Sequence, residues 1–339
     1  MNGLFRVLIA VSLVAATAGG VLAQESFYKG KNIRLLVAYP PGGGFDTYAR
    51  LAARHWGRHI PGQPRFIVQN MPGAGGVVAL NHLYNAARPD GLTMGFSTGG
   101  NFAPFTAKRT GIEFRAPRFL YVGNFVQDVA VCFARHDAPF KRVEDVIDSK
   151  ETFFVGGTGP GSPSDDIPKV VNEILRTRIK VVAGYGGTAP MHMAIERGEI
   201  QGRCGFMYSG LKAASPHWIE KKFINIFLQM GMHKHPELAQ VRWIFDLPLS
   251  ADDKATLEVV FSQFGFARPL VLPPGTPPER VQILRRSFMA LMKDPEFQKE
   301  ADRAGMELSP VSGEEIQKLV ERVYAYPEAV INRVAKLLE

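Results

Sequence analysis

The stretch IRLLVAYPPGGGFD, residues 33–46, decides the fold of this chain. Its apolar run, residues 33–39, predicts a buried strand, and the prolines and glycines that follow end that strand. A helix with apolar residues every three or four positions is predicted to begin near Asp46. Strands at 65–69 and 92–97 and a helix at 77–87 complete a βαβαβ unit, which indicates a mostly parallel sheet.

The same order of elements occurs a second time. The predicted elements are a strand at 152–155, a glycine loop at 156–161, a helix at 165–176, a strand at 179–183, a helix at 189–197 and a strand at 203–206. Long strand-like stretches at 120–134 and 223–230 lie before and after this second unit. We therefore predict two doubly wound α/β lobes, with lobe 1 formed by 24–126 and 230–339 and lobe 2 by 127–229.

The first residues resemble a secretory signal peptide by composition and length. Arg6 is followed by the apolar run 7–14 and then by small residues, so we expect cleavage after Ala23. The apolar run is far shorter than the roughly 20 residues that span a bilayer. No later stretch is apolar for long enough either, and no cysteine near residue 23 could carry a lipid. The mature protein is therefore expected to be free in the periplasm.

Charge and cysteine content limit the function further. The chain has 40 Lys and Arg against 32 Asp and Glu, a net charge of +8 that is spread along the sequence. No basic cluster alternates with aromatic residues, so nucleic acid is not an expected partner. Cys132 and Cys204 both lie in apolar runs that are predicted strands. Two buried free thiols are the favoured interpretation, while a disulfide stays possible because an exported protein meets oxidising conditions.

The two glycine loops are candidate anion sites. Glycine lets a ligand approach the backbone closely, and the N-terminus of the following helix offers unpaired N–H groups. Such loops lie at the carboxyl ends of strands, where doubly wound sheets bind ligands. Two alternatives stay open: the glycines serve only to reverse the chain, and Ser162 and Ser164 are simple helix caps. Asp46 likewise either caps backbone N–H groups or faces the ligand.

Enzyme and cofactor motifs are missing from the sequence. Neither loop has the Gly-Lys-Ser/Thr ending or the Gly-x-Gly-x-x-Gly spacing of nucleotide sites. The chain contains neither a Gly-x-Ser-x-Gly elbow nor a His-Glu-x-x-His pair, and His233 and His235 are typical of a solvated loop. We therefore expect no catalytic residues, no metal site and no cofactor.

Five motifs in order resemble a known family. They are YPPGGGFD at 39–46, QNMPGAGG at 69–76, RPDGLT at 88–93, GYGGTAP at 184–190 and LPPGTP at 272–277. This series resembles the Bug family, the extracytoplasmic solute receptors of tripartite tricarboxylate transporters. The resemblance implies a fold like that of type II periplasmic binding proteins, with two lobes joined by two hinge strands. It also implies that positions 41–46 and 158–164 bind a ligand carboxylate through backbone amides and water.

The resemblance also suggests the partners and the site. A small organic carboxylate is the expected ligand, membrane permease subunits are the expected partners, and the receptor is expected to be a monomer. Phe45 stands where many members have a small polar residue, which favours a solute with an aromatic or apolar body. Presentation of ligand to a sensor kinase is an alternative, and an exported enzyme is a weaker one. The predicted ligand-binding residues are Tyr39, Pro41, Gly42, Gly43, Gly44, Phe45, Asp46, Asn101, Thr158, Gly159, Gly161, Ser162, Ser164, Gly187 and Arg203.

Overall fold

The computed structural model describes residues 27–108, 110–159 and 162–338. The predicted signal peptide and Gly161 therefore lie outside the described residues. The strands are β1 Asn32–Val37, β2 Arg65–Asn70, β3 Thr93–Phe96, β4 Leu120–Asn124, β5 Ala130–Arg135, β6 Phe153–Gly156, β7 Ile179–Val182, β8 Gly202–Met207, β9 Ile224–Met230, β10 Arg242–Trp243, β11 Pro269–Leu272 and β12 Val311–Ser312.

Twelve α-helices are described in the same residues. They are α1 Gly44–His55, α2 Val77–Asn85, α3 Val143–Ile147, α4 Pro163–Leu175, α5 Thr188–Arg197, α6 Tyr208–Ala214, α7 Pro216–Glu220, α8 Ala251–Gly265, α9 Pro278–Met292, α10 Pro295–Arg303, α11 Gly313–Tyr324 and α12 Glu328–Leu338. Within the described ranges, none of these helices combines the length and the apolar character that a bilayer crossing requires.

The chain divides into two compact units. Unit 1 takes the chain up to Ser97, together with Arg118–Gly123 and Leu270–Met306. Unit 2 takes Thr98–Pro117, Asn124–Pro269 and the residues from Glu307 onward. The lobe boundaries predicted from the sequence are 24–126 with 230–339 for lobe 1 and 127–229 for lobe 2. They stay a prediction.

Unit 1 contains the βαβαβ arrangement that its sequence predicts. Strand β1 pairs in parallel with both β2 and β3, and β11 runs antiparallel to β3. Five strands of this sheet lie in the order β4-β11-β3-β1-β2. The apolar run of β1 is buried, because helices that follow parallel strands cover the faces of the sheet. This confirms the strand, glycine loop and helix order of residues 33–46.

Unit 2 repeats the arrangement and adds antiparallel strands. Its six-stranded sheet has the order β10-β9-β5-β8-β6-β7. Strand β6 is parallel to β7 and β8, whereas β5 is antiparallel to β8 and β9. The predicted two-lobe α/β fold class is confirmed.

The long strand expected at 120–134 is divided in two, with β4 ending at Asn124 and β5 beginning at Ala130. Between them Val126 forms an isolated parallel bridge with Ser309. Side-chain hydrogen bonds also hold this segment: Asn124 Nδ2 donates to the carbonyl of Val126, and Asp128 Oδ1 accepts from the amide of Val129.

Cys132 and Cys204 form a disulfide. They face each other directly in the antiparallel pairing of β5 and β8, although 72 residues separate them in sequence. The favoured interpretation of two free thiols is therefore wrong. The register of β5 on β8 brings the thiols together, and no local pattern in the sequence reveals that register.

Candidate functional site

Loop 1, defined as residues 40–46, joins β1 to α1. Gly42 has φ of +81°, a left-handed conformation that favours glycine over any residue with a Cβ. Gly43 is the N-cap of α1, and Gly42, Gly43, Gly44 and Pro41 are all exposed. The first N–H groups of a helix have no intrahelical acceptor and carry partial positive charge. Loop 1 is therefore open to an anion along its backbone.

Asp46 fixes loop 1 from within unit 1. It is only 4% exposed and is the third residue of α1, so its side chain reaches back over the loop. One oxygen, Oδ2, accepts from Gly42 N at 2.8 Å and from Arg50 Nε at 2.9 Å. The other, Oδ1, accepts from Asn70 Nδ2 at 3.0 Å.

The Arg50 hydrogen bond is the main cause that lowers the pKa of Asp46 to about 2, and burial opposes it. The carboxylate is thus engaged by the protein's own donors. Of the two roles that the sequence leaves open for Asp46, this geometry favours the cap.

An aromatic surface lies beside loop 1. The rings of Tyr39 and Phe45 stack with centroids 4.4 Å apart, and Phe45 meets the buried Phe96 edge-on at 5.1 Å. Tyr39 also donates its hydroxyl to the carbonyl of Gly75. Both Tyr39 and Phe45 are half-buried. An apolar or aromatic wall for the ligand at Phe45 stays a prediction.

Loop 2, defined as the described residues 156–159 and 162–165, lies between β6 and α4 in sequence. Ser162 is the N-cap position, and its Oγ lies 3.0 Å from Ser164 Oγ. Thr158 donates its amide to Ser164 Oγ at 3.3 Å and is itself exposed. The predicted hydroxyl residues therefore do come together around one loop.

Asp165 organises loop 2 and was missed by the sequence analysis. Its Oδ2 accepts from Gly159 N at 2.9 Å, from Ser162 Oγ at 2.8 Å and from Ser164 Oγ at 3.3 Å. Asp165 is the third residue of α4, as Asp46 is of α1. The signal that could have identified it is the Ser-x-x-Asp spacing that begins at Ser162, a capping-box pattern.

Arg203 is a buried cation in β8. Arg203 is 6% exposed, and its guanidinium carbon lies 3.6 Å from the centre of the Phe206 ring. Nη1 has two long contacts, 3.4 Å to Thr188 Oγ1 and 3.5 Å to His192 Nε2, while Nε has no hydrogen-bond partner in the described chain. Burial lowers the pKa of Arg203 to about 10, and no described carboxylate pairs with it. The guanidinium is still charged at neutral pH.

The surroundings of Arg203 favour an anion. Burial, and then the Arg203 charge, lower the pKa of His192 to about 4, so this imidazole is neutral at pH 7. His192 Nδ1 lies 2.9 Å from Ser215 Oγ, which fixes the ring. Thr188 is the first residue of α5, and Gly187 is its N-cap with φ of 145° and open space at its Cβ position. Arg203 thus lies beside a helix N-terminus, where negative charge is stabilised.

The remaining predicted residue, Asn101, lies in a 3₁₀-helix, Gly99–Phe102, of unit 2. It is buried, and its backbone carbonyl accepts from Thr106 Oγ1. Apart from Asn101, the described candidates lie in three local groups: the Tyr39 and loop 1 residues, the loop 2 residues, and Gly187 with Arg203.

Comparison with known proteins supports the resemblance. Residues 49–162 match the model of the tripartite tricarboxylate transporter family receptor. A UPF0065 protein of Bordetella pertussis is 25% identical over 327 residues, which cover 94% of each chain. A TctC solute binding protein from Polaromonas superposes with a TM-score of 0.73 at 22% identity, over 90% of this chain and 99% of that one.

A third similar protein is MatC from Rhodopseudomonas palustris, whose structure contains bound malate. It has a TM-score of 0.57 at 19% identity, over 91% of this chain and 99% of that one. Together these findings confirm the resemblance to the Bug family of solute receptors.

Proposed function

Starting from the confirmed resemblance to the Bug solute receptors, we propose that the protein is a periplasmic receptor for a small carboxylate-bearing solute. It captures the solute and delivers it to a membrane permease. The exported location rests on the signal-peptide pattern that ends at Ala23. N-terminal sequencing of the exported protein is expected to begin at Gln24.

The observation that carries this proposal is the buried guanidinium of Arg203, which forms no ion pair with a described carboxylate. Taking an ion out of water costs on the order of several kcal/mol unless an opposite charge compensates. No described carboxylate compensates Arg203, so an anion supplied from outside the chain is the expected partner. A planar guanidinium matches a carboxylate through paired hydrogen bonds, which favours carboxylates over simple anions. The malate bound to MatC supports the same ligand class.

Further features suggest how a solute would be held. In unit 1 the exposed backbone of loop 1 offers hydrogen bonds to carboxylate oxygens. In unit 2 the exposed Thr158 of loop 2 offers a hydroxyl, whereas the hydroxyl protons of Ser162 and Ser164 are donated to Asp165. The stacked rings of Tyr39 and Phe45 offer an apolar surface for a hydrocarbon or aromatic body. We therefore expect solutes with at least one carboxylate and a partly apolar body to bind best.

The test begins with a thermal-shift screen of mono-, di- and tricarboxylates, aromatic acids and amino acids on the mature protein. A ligand at a hundredfold excess over its Kd stabilises the folded state by roughly 2.7 kcal/mol, which is readily measured. Calorimetry on the best ligand then compares the wild type with Arg203→Met. We expect binding to weaken by at least about tenfold, because the charged partner is lost. Without ligand, the free energy of unfolding should hold or rise by about 1 kcal/mol, because a buried lone charge is removed.

Arg197→Met is the matched control. Arg197 lies in the last turn of α5, and its side chain is 65% exposed near Glu199. This variant should bind as the wild type does. If Arg203→Met loses stability but keeps its affinity, Arg203 is a structural residue. If no carboxylate stabilises the wild type, the proposed ligand class is wrong.

A further inference from the structure

A second group of polar side chains lies in unit 1, on elements apart from loop 1 itself. His55 ends α1, and His59 ends the 3₁₀-helix that follows, Trp56–His59. The two histidines are four positions apart, a spacing that places side chains on one face of a helix. They face the start of α10, whose N-cap is Asp294 and whose first turn contains Glu296.

The distances within this group are short. One ligand atom each from His55, Asp294 and Glu296 lies within 4.8 Å of the other two. His59 Nε2 lies 2.7 Å from Asp294 Oδ2, and His55 Nε2 lies 3.1 Å from Glu300 Oε1. One imidazole nitrogen and two carboxylate oxygens therefore lie close together between α1 and α10.

His55 gives an independent indication of a missing partner. It is 6% exposed, yet its Nδ1 has no hydrogen-bond partner in the described chain. Its polar contact there is the 3.1 Å ion-pair approach of Nε2 to Glu300. A buried polar group without hydrogen bonds is costly, and buried polar groups are nearly always paired in native proteins. His55 thus has a ring nitrogen without a partner, which a bound metal ion would supply.

We propose that His55, Asp294 and Glu296 bind a divalent transition-metal ion of the zinc class, with His59 within reach as a further ligand. A mixture of imidazole and carboxylate ligands is what Zn²⁺ prefers. Zinc bonds of about 2.0 to 2.2 Å hold ligand atoms closer together than 4.8 Å, so side chains at the upper end of that distance move inward by about 1 Å when the ion binds. The ion would link α1 to α10 and stabilise unit 1.

Arg58 competes with the metal for the same carboxylates. Its guanidinium donates to both of them, contacting Asp294 Oδ2 and reaching Glu296 Oε2 at 2.6 Å. The Arg58 side chain is 40% exposed and can move into solvent. Either the metal ion or the Arg58 guanidinium, but not both, thus binds these carboxylates at one time.

The experiment is calorimetric titration of ZnSO₄ into chelator-treated mature protein, with no carboxylate solute present. The wild type should bind one ion per chain. His55→Gln should weaken this binding by at least about tenfold, as expected when a ligand is lost. Arg58→Gln should tighten it several-fold, because the competing cation is gone while every ligand is kept. His217→Gln, which removes a half-exposed imidazole from unit 2, should bind zinc as the wild type does.

Three outcomes would overturn the proposal. They are a wild type that binds no ion in stoichiometric amount, an Arg58→Gln variant whose affinity does not rise, and a His217→Gln variant that loses the binding. Arg58→Gln keeps the test decisive if His55→Gln fails to fold. Because solute binding is measured separately, failure of this site leaves the proposed receptor function untouched.

Discussion

In loop 1 a carboxylate is held by a cation and amides, whereas in loop 2 the matching carboxylate is held by hydroxyls and one amide. Asp46 uses both oxygens, one for Gly42 N and Arg50 and the other for Asn70. Asp165 uses one oxygen, Oδ2, for all three of its described side-chain and backbone donors. Both residues occupy the third position of a helix after a glycine loop.

The glycines of the two loops also differ in their surroundings. A Cβ on Gly43 would come no nearer than 3.8 Å to its closest neighbour, the carbonyl oxygen of Pro40. A Cβ on Gly157 would lie 2.4 Å from Val181 Cγ1 and 2.7 Å from Asp165 Oδ2. The same residue type therefore has two purposes: exposure of the backbone in loop 1, and close packing at the start of loop 2.

The largest expected effect separates these two purposes. Gly157→Val should lower the free energy of unfolding by about 3 kcal/mol, because its side chain overlaps Val181 and Asp165. Gly43→Val should change it by less than about 0.5 kcal/mol, because Gly43 has an ordinary φ of −83° and free space. Urea unfolding of both variants gives the comparison, and calorimetry should show that Gly43→Val loses solute binding. A stable Gly157→Val variant, or an unchanged affinity in Gly43→Val, would contradict this contrast.

A smaller effect concerns the two aspartates. Asp46→Asn should lower the free energy of unfolding by about 2 kcal/mol. The NH₂ group of the new side chain must face one of the donors that now bind the carboxylate. Asn70 cannot turn to accept, since its amide also donates to the Tyr39 carbonyl and its oxygen accepts from Arg50.

Asp165→Asn should lower the free energy of unfolding by about 1 kcal/mol or less, because the single amide oxygen can accept all the hydrogen bonds that Oδ2 now accepts. Denaturant midpoints of the two variants measure the difference. Equal losses would mean that the ion pair with Arg50 adds nothing to loop 1.

The smallest expected effect is a pH dependence of loop 1. The pKa of Asp46 falls from 3.8 to about 2 on folding. A lowered pKa contributes stability that is complete above the unfolded value and is lost as the pH falls through the folded value. The stability difference between wild type and Asp46→Asn should therefore shrink between about pH 4 and pH 2. Unfolding titrations at several pH values would show this, and a difference that stays constant over that range would argue against an ionised Asp46.

The local pattern of the sequence predicted much of the fold. Strand, glycine loop and helix were placed correctly in both units, because hydrophobic period and glycine position act over a few residues. The grouping of the loop 2 hydroxyls and the stacking of Phe45 on Tyr39 likewise involve residues that are close together in the chain. These features need only the neighbours that the chain itself supplies.

The tertiary structure decided what depends on distant pairings. Strand register joins Cys132 to Cys204 and buries Arg203 without a carboxylate, and helix packing brings His55 to Asp294. The sequence identifies an arginine or a histidine but does not say whether its side chain is solvated or buried. The charged and polar groups around it are therefore unknown until its neighbours are known. Burial and pairing set the free energy of a charged group, and both arise only when segments far apart in the chain pack together.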